Sequence, residues 1–257
     1  MIATNLTFDL ILLLFATALG IYFIERSKRG KKPYVRHLPA IDALPELIGR
    51  ATEMGRPIHF TPGQCGIATT FSIAPNMAGL LVLGEIARLA VPYNIKIICT
   101  VAQPDVIPVA EEIMISAAAG AGHPGYKPDV RYLSTSPRSY MSGIMGLIAR
   151  EKIAGNVMVG MCGEESLTTL DAGVTVGAMQ IGGTASSSNA AWFITACDYF
   201  LIDEEITATA AFLGDDPSIS GSLAGEDISK FLAIALIIIG ALLATAGNPW
   251  LKNIIKI

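Results

Sequence analysis

The chain reads as an α/β protein, a Rossmann-like three-layer domain with a mainly parallel sheet, flanked by two transmembrane helices. Three observations predict this. Two nearly charge-free apolar stretches, Phe8 to Ile24 and Phe231 to Gly247, lie close to the ends of the sequence. Between them, short runs rich in β-branched residues alternate with longer helical segments, which is the pattern of βα units. The short runs, Ile95 to Val101 and Val157 to Val159 among them, are almost continuously hydrophobic, as strands become when helices cover both faces of a sheet.

The terminal stretches come first. The 257 residues are 52% hydrophobic and 16% charged, with a mean hydropathy of +0.52, greasier than an ordinary soluble domain. Each stretch has about the length a helix needs to cross a hydrocarbon core of roughly 30 Å at about 1.5 Å per residue. Arg26, Lys28, Arg29, Lys31 and Lys32 follow the first stretch and no Lys or Arg precedes it. The positive-inside bias therefore places the middle of the chain in the cytoplasm and both termini outside the cell membrane. Lys252 and Lys256 in the tail oppose that bias but are outnumbered. A cleavable signal peptide would carry its basic residues before the apolar run, the reverse of the order here. The expected organisation is an anchor over residues 1–25, a basic juxtamembrane linker over 26–42, a cytoplasmic α/β domain over 43–228, and a second anchor with a short tail over 229–257. The Ser- and Gly-rich stretch Ser218 to Gly225 is expected as a connection too short to let the domain swing free.

Within the domain, strands are expected at Ile58 to Thr61, Ile95 to Val101, Val130 to Ser134, Asn156 to Cys162, Met179 to Gly182 and Tyr199 to Ile202. Helices are expected at Ala43 to Met54, Pro75 to Ala90, Asp105 to Gly120, Ser139 to Lys152, Glu165 to Gly177 and Ser187 to Ala196, with a further small-residue helix ending at Leu213. In the second of these, apolar and small residues cover most of the circumference, so it should be buried.

Ligands of open parallel sheets bind beyond the carboxyl ends of the strands, which directs attention to the segments there. Gly183, Thr184, Ser186, Ser187 and Ser188 combine close backbone approach with hydroxyl donors ahead of a helix N-terminus, a composition suited to an anion and equally to a plain capped turn. Cys65 and Cys162 each stand between a strand and a helix, where a thiolate is favoured, yet the chain has only three histidines and none is adjacent to serve as a base. Glu164, Glu165, Asp203, Glu204 and Glu205 could hold a divalent cation if their strands are neighbours, or simply offset helix dipoles. The turn-rich segment His123 to Pro128 is expected as a surface loop that could cover the crevice or touch a neighbouring subunit. The cysteines Cys65, Cys99, Cys162 and Cys197 form no CxxC pair, so neither zinc nor a disulfide framework is signalled. The acidic balance of the chain away from its basic block argues against nucleic acid.

The run from Arg36 to Gly63, with Pro39, Asp42-Ala43, Glu46, Gly49 to Pro57 and Phe60, resembles a family of prokaryotic membrane proteins known only as a domain of unknown function, and the similarity extends through Asp203-Glu204-Glu205 and the terminal anchor. That resemblance implies a membrane-tethered cytoplasmic domain and brings no active-site residues with it. Physically, Arg36 to Gly63 contains a solvent-facing helix whose Arg50 and Glu53, with Arg56 just beyond it, are candidates for subunit contact.

No complete catalytic set is present, so the expected role is a membrane-anchored scaffold that assembles with itself or with other membrane subunits. Gly240 and Gly247 in the second apolar stretch would permit close helix packing. The alternative is a ligand-sensing or enzymatic domain that binds a small anion or nucleotide at the strand ends, with Cys65, Cys162, Glu164, Gly183, Thr184 and Ser186 to Ser188 as its lining. The cofactor, if there is one, is not identifiable from these residues.

Overall fold

The computed structural model describes residues 7–30, 38–67, 73–214 and 217–245. The chain divides into two compact units, one spanning Arg36–Gly214 and the other formed by the terminal segments Met1–Val35 and Asp215–Ile257.

In the larger unit β1 (Ile58–Gly63), β2 (Ile97–Val101), β3 (Asp129–Tyr132), β4 (Gly155–Met161), β5 (Met179–Thr184) and β6 (Tyr199–Ile202) form one sheet in the order β3-β2-β1-β4-β5-β6. Every neighbouring pair is parallel. The chain winds outward from β1 to β3, then returns to the far side of β1 and winds outward again, the strand order of doubly wound dinucleotide-binding sheets. Helices α4 (Ile73–Ala90), α5 (Ile107–Gly120) and α9 (Glu204–Leu213) pack side by side over one face. Helices α6 (Pro137–Glu151), α7 (Ser166–Thr175) and α8 (Ala190–Ala196) cover the other. Helix α3 (Leu44–Met54), preceded by the single turn α2 (Pro39–Asp42), packs on α4 and the start of β4.

All six expected strands are present, with differences confined to their ends. The expected helix Ser187 to Ala196 begins only at Ala190, because Ser186 to Asn189 is a turn in which the Asn189 N–H donates to the Ser186 carbonyl at 2.9 Å and the Asn189 amide donates to Ser186 Oγ at 3.1 Å. The larger unit also begins before residue 43, since Leu38, Ala40 and Ile41 are buried in it. Residues that were expected as linker thus belong to the core.

Helix α4, with the turn that follows it, spans Ile73–Tyr93 and is the one helix among the described residues long and apolar enough to cross a membrane, yet 56% of its membrane-length apolar segment is buried. Burial is the reason for its composition, because α4 lies against α5, α9, β1 and β4. It sits so low on the sheet that a Cβ on Gly79 would come within 2.0 Å of the Val159 carbonyl oxygen. The backbone there cannot yield as a flexible side chain would.

The smaller unit pairs α1 (Thr7–Lys28) with α10 (Pro217–Thr245). A Cβ on Gly221 would stand 2.6 Å from the Ile24 Cα, and one on Gly225 would stand 3.1 Å from the Gly20 Cα. Advancing along α10 therefore means retreating along α1, so the helices run antiparallel with backbones nearly in contact. Ser218 to Gly225 is the first part of this continuous helix and not a connection; the glycines that suggest a linker in the sequence are where the two backbones meet. Gly240 is half-buried in α10, and Gly247 lies outside the described residues.

Two glycines of the larger unit make opposite predictions. Gly79→Ala should cost about 1 to 3 kcal/mol by overpacking, whereas Gly49→Ala, exposed in α3 with nothing within 4 Å of the new methyl group, should gain up to about 1 kcal/mol from helix propensity. Thermal melting of the detergent-purified chain should show a fall for the first and no fall for the second.

Candidate functional site

The strand order reverses between β1 and β4, so the chain leaves β1 for α4 on one face and β4 for α7 on the other. A crevice opens at such a point in related architectures. Here the ends of the two strands are drawn together. A β-bulge between Thr61 and Gly63 brings Gly63 opposite Met161. Gly63, at φ +101°, could not carry a Cβ without meeting the Met161 carbonyl oxygen at 2.2 Å, and Gly160, at φ +148°, would meet that of Pro62 at 2.0 Å. Both positions call for glycine in conformation and in space.

Asn76, fully buried near the start of α4, fastens the two strand ends. Its amide group donates to the carbonyl oxygens of Cys65 at 2.7 Å and Gly66 at 3.2 Å, and its Oδ1 accepts from the Met161 N–H at 3.1 Å. On the outer side the Gln64 N–H donates to the Met161 carbonyl at 3.0 Å, and the Gln64 side-chain amide donates to Glu165 Oε2 at 3.3 Å. The sequence reading passed over Asn76. The signal that could have found it is a lone amide inside the otherwise apolar run Ile73 to Gly84.

Of the expected site residues, the structure brings Cys162, Thr184 and Ser186 together. The Cys162 carbonyl accepts from Thr184 Oγ1 at 3.1 Å and from the Asn189 amide at 3.3 Å, while Thr184 Oγ1 accepts from the Ser186 N–H at 3.1 Å. Ser186 and Ser188 hydroxyls are 3.0 Å apart, and Ser187 Oγ reaches Asp203 Oδ2 at 3.5 Å. Gly183 is buried against Leu201 and Ile206. These groups largely satisfy one another. Burial pushes the Cys162 thiol up to about 12, with Cys65 a smaller contributor, the opposite of the thiolate that a helix N-terminus would favour. Cys65 is half-buried and Glu164 exposed. The two acidic segments do not follow neighbouring strands, because β5 lies between β4 and β6, and among the described residues no three His, Cys, Asp or Glu side chains are grouped to hold a metal ion.

The notable polar chemistry lies deeper. His59 is fully buried on β1, with Nδ1 2.8 Å from Asn156 Oδ1 on β4 and Nε2 2.8 Å from Thr100 Oγ1 on β2. The protons can be placed from the partners. Gln180 on β5 spends its amide N–H groups on the carbonyls of Leu170 in α7 and Ala196 at the end of α8, so its Oε1 accepts from the Asn156 amide at 3.0 Å. Asn156 Oδ1 is then free to accept from His59 Nδ1–H, which leaves Nε2 to accept from the Thr100 hydroxyl. The Tyr140 hydroxyl on α6 donates to the Thr100 carbonyl at 2.8 Å and lies 2.6 Å from Thr61 Oγ1, from which it accepts. The Gly63 N–H donates to Thr61 Oγ1 at 3.1 Å and ends the chain. Burial lowers His59 to about 4, so the imidazole is neutral.

Open concavities occur at the other end of the sheet, where the strands begin. A cavity of about 370 Å³ is lined by Asn94, Lys96, His123 and Tyr126 among others, one of about 340 Å³ by Ile48, Thr52, Glu53 and Tyr93, and one of about 270 Å³ by Arg56, Lys96 and Glu151. The segment beginning at His123 therefore borders the strand starts and does not cover the crevice. Arg50 is exposed on α3. Lys96 and Arg131 pair with Asp129 and Glu151 in a four-membered ion cluster, in which Arg131 holds the Asp129 carboxyl below its usual range. With its charges at the sheet margin, β3 is a poor template for further strand pairing.

Comparison with protein families decides the relationship, since one family model matches residues 1–255. The chain belongs to the DUF6754 family. That family is a domain of unknown function, and its match takes in both terminal segments as well as the α/β unit. No curated protein and no solved structure matches the chain.

The buried imidazole makes stability fall with acid. Between pH 6.5, the ordinary value, and about 4, the unfolded chain binds a proton that the folded chain does not. Stability is complete above that window and declines by roughly 3 kcal/mol as pH falls through it. Unfolding measured from pH 7 to 4 should show this slope, and a His59→Phe variant should lose that part of it whatever its own stability.

Proposed function

We propose that this protein is a two-span membrane protein whose α/β unit serves as a self-assembling structural component of a membrane complex. The observation that carries the reading is the outward surface of the α1/α10 pair. Leu13 is 64%, Phe231 71% and Ile237 70% exposed, and Leu10, Leu14, Phe15, Ile234 and Leu242 are exposed beside them. Apolar area costs about 25 cal/mol per Å² in water, and a hydrocarbon solvent removes that cost. The pairing itself uses small residues at a close backbone contact, which is how helices associate where lipid supplies no hydrophobic drive.

The antiparallel register also fixes which residues of the two helices lie level with one another. Gly225 lies against Gly20, so Glu226 and Asp227 stand level with the residues just before Gly20; the apolar length of α10 runs on from there, and that of α1 continues past this level to Ile24. Lys230 pairs with Glu226 at 3.2 Å in the same turn. The basic run after Ile24 orients the α/β unit to the cytoplasm and both termini outward. A structural role for that unit is supported by the crevice, whose strand ends are bridged by Asn76 and Gln64 and whose hydroxyls are engaged with one another. Two tethers remove much of the orientational entropy that side-by-side docking would otherwise cost. Arg50 and Glu53 on α3, with Arg56 just beyond it, remain the proposed contact residues.

A second reading, binding of a small anion or nucleotide at the strand ends, is favoured by the strand order alone. Calorimetry with inorganic phosphate and with nucleotides discriminates the two, because a saturable signal lost on Thr184→Val would favour the second.

Carbonate-washed membranes should retain the protein, and light scattering of the detergent-extracted chain should give a mass several times 27.1 kDa. A monodisperse monomer would remove the scaffold reading, and release by carbonate would remove the membrane reading.

A further inference from the structure

The cytoplasmic end of α1 carries a cavity of about 490 Å³ lined by Tyr22, Glu25, Arg26 and Arg29. Their spacing of three, four and seven residues puts all four on one face of the helix. The charges on that face are not balanced among the described residues. Glu25 is drawn to Lys28 at 3.8 Å, Arg26 lies 6.0 Å over the Phe23 ring, and neither Arg26 nor Arg29 has a carboxylate partner among the described residues. Two guanidinium groups beside a cavity with a phenol at its apolar edge form a recognisable kind of receptor. Their planar donor forks match a phosphate oxygen pair, and Tyr22 is amphipathic in the manner of side chains at the lipid interface.

We infer that this cavity holds the phosphate of an anionic phospholipid headgroup, seated against Arg26 and Arg29. The inference rests on the membrane reading given above. In that reading, Arg26 lies two residues beyond Ile24, the last residue of the first apolar stretch, about 3 Å along the helix at about 1.5 Å per residue, which is the headgroup layer. Lys31 and Lys32 follow within one further turn of sequence and add long-range attraction to an anionic leaflet. The chemistry recognised is a phosphate monoester or diester anion, and a lipid source is distinguished from a free one by competition.

The test is made on the full chain in detergent, passed over mixed micelles that contain equal amounts of phosphatidylglycerol and phosphatidylcholine, with retained lipid quantified by mass spectrometry. The wild type should retain phosphatidylglycerol in several-fold excess. Arg26→Gln with Arg29→Gln should abolish the excess, Glu25→Gln should increase it, and the double lysine variant Arg26→Lys with Arg29→Lys should lose part of it. Equal retention by the arginine and lysine forms would overturn the cavity in favour of diffuse attraction. An unchanged excess in the double glutamine variant would overturn it outright. Displacement of the lipid by millimolar inorganic phosphate would assign the site to free phosphate instead. Carbonate extraction run in parallel separates the two levels: protein that stays in the membrane without lipid preference refutes the headgroup site alone, and protein that washes off refutes the membrane reading together with it.

Discussion

An imidazole buried inside a parallel sheet must find one acceptor and one donor within the protein, or cost several kcal/mol. His59 finds them on the two strands that flank its own, and each partner is committed to a further one until the chain ends at main-chain carbonyls in α7 and α8. That requirement ties β2, β1, β4 and β5 to one another and to helices on the same face. Strands covered on both sides are apolar in both directions, so hydrophobic burial alone discriminates poorly between one alignment and the next. Here a slip of one residue would strand four side chains at once, and alignment is fixed by polar satisfaction.

The rest of the larger unit follows from that alignment. With β1 and β4 held in register, Gly63 and Gly160 face the opposite main chain where no side chain could fit, and Asn76 of α4 finds an N–H and two carbonyls within reach. The end of the sheet that this strand order usually keeps open is thereby joined across. At the point where this winding elsewhere makes a ligand crevice, a bulge and a buried amide draw the edges together.

The elements of the α/β unit were legible in the sequence because their signals are local. Runs such as Ile97 to Val101 and Val157 to Val159 are strands by composition, and α4 was recognisable as buried from its lack of a polar face. The order of the strands was not legible, since it depends on which distant segments share hydrogen bonds. For the same reason the site was read only in part. Thr184, Ser186 and Cys162 stood out as candidate ligand-binding residues, whereas their hydrogen bonds are directed at each other, and nothing in the spacing of residues 162 and 184 says so. Asn76 and His59 looked like isolated polar residues in apolar runs, and only three-dimensional pairing shows what they do. The stretch Ser218 to Gly225 was misread because glycine and serine are common both in linkers and where two helices nearly touch; what separates these cases is a partner helix almost two hundred residues away, at the other end of the chain.

Contact between Gly20 and Gly225 closes a loop that contains the whole of the larger unit. Closing a loop of about 200 residues in an unstructured chain carries a sizeable entropic cost that grows only slowly with length. A folded Arg36–Gly214 unit shortens the effective loop to its own end-to-end separation. During synthesis the first helix emerges early and presents its glycine face with nothing opposite, and its counterpart appears only after every strand has been made. The second helix of the pair is thus the last to be made, and folding of the intervening unit lowers the entropic cost of bringing the two together.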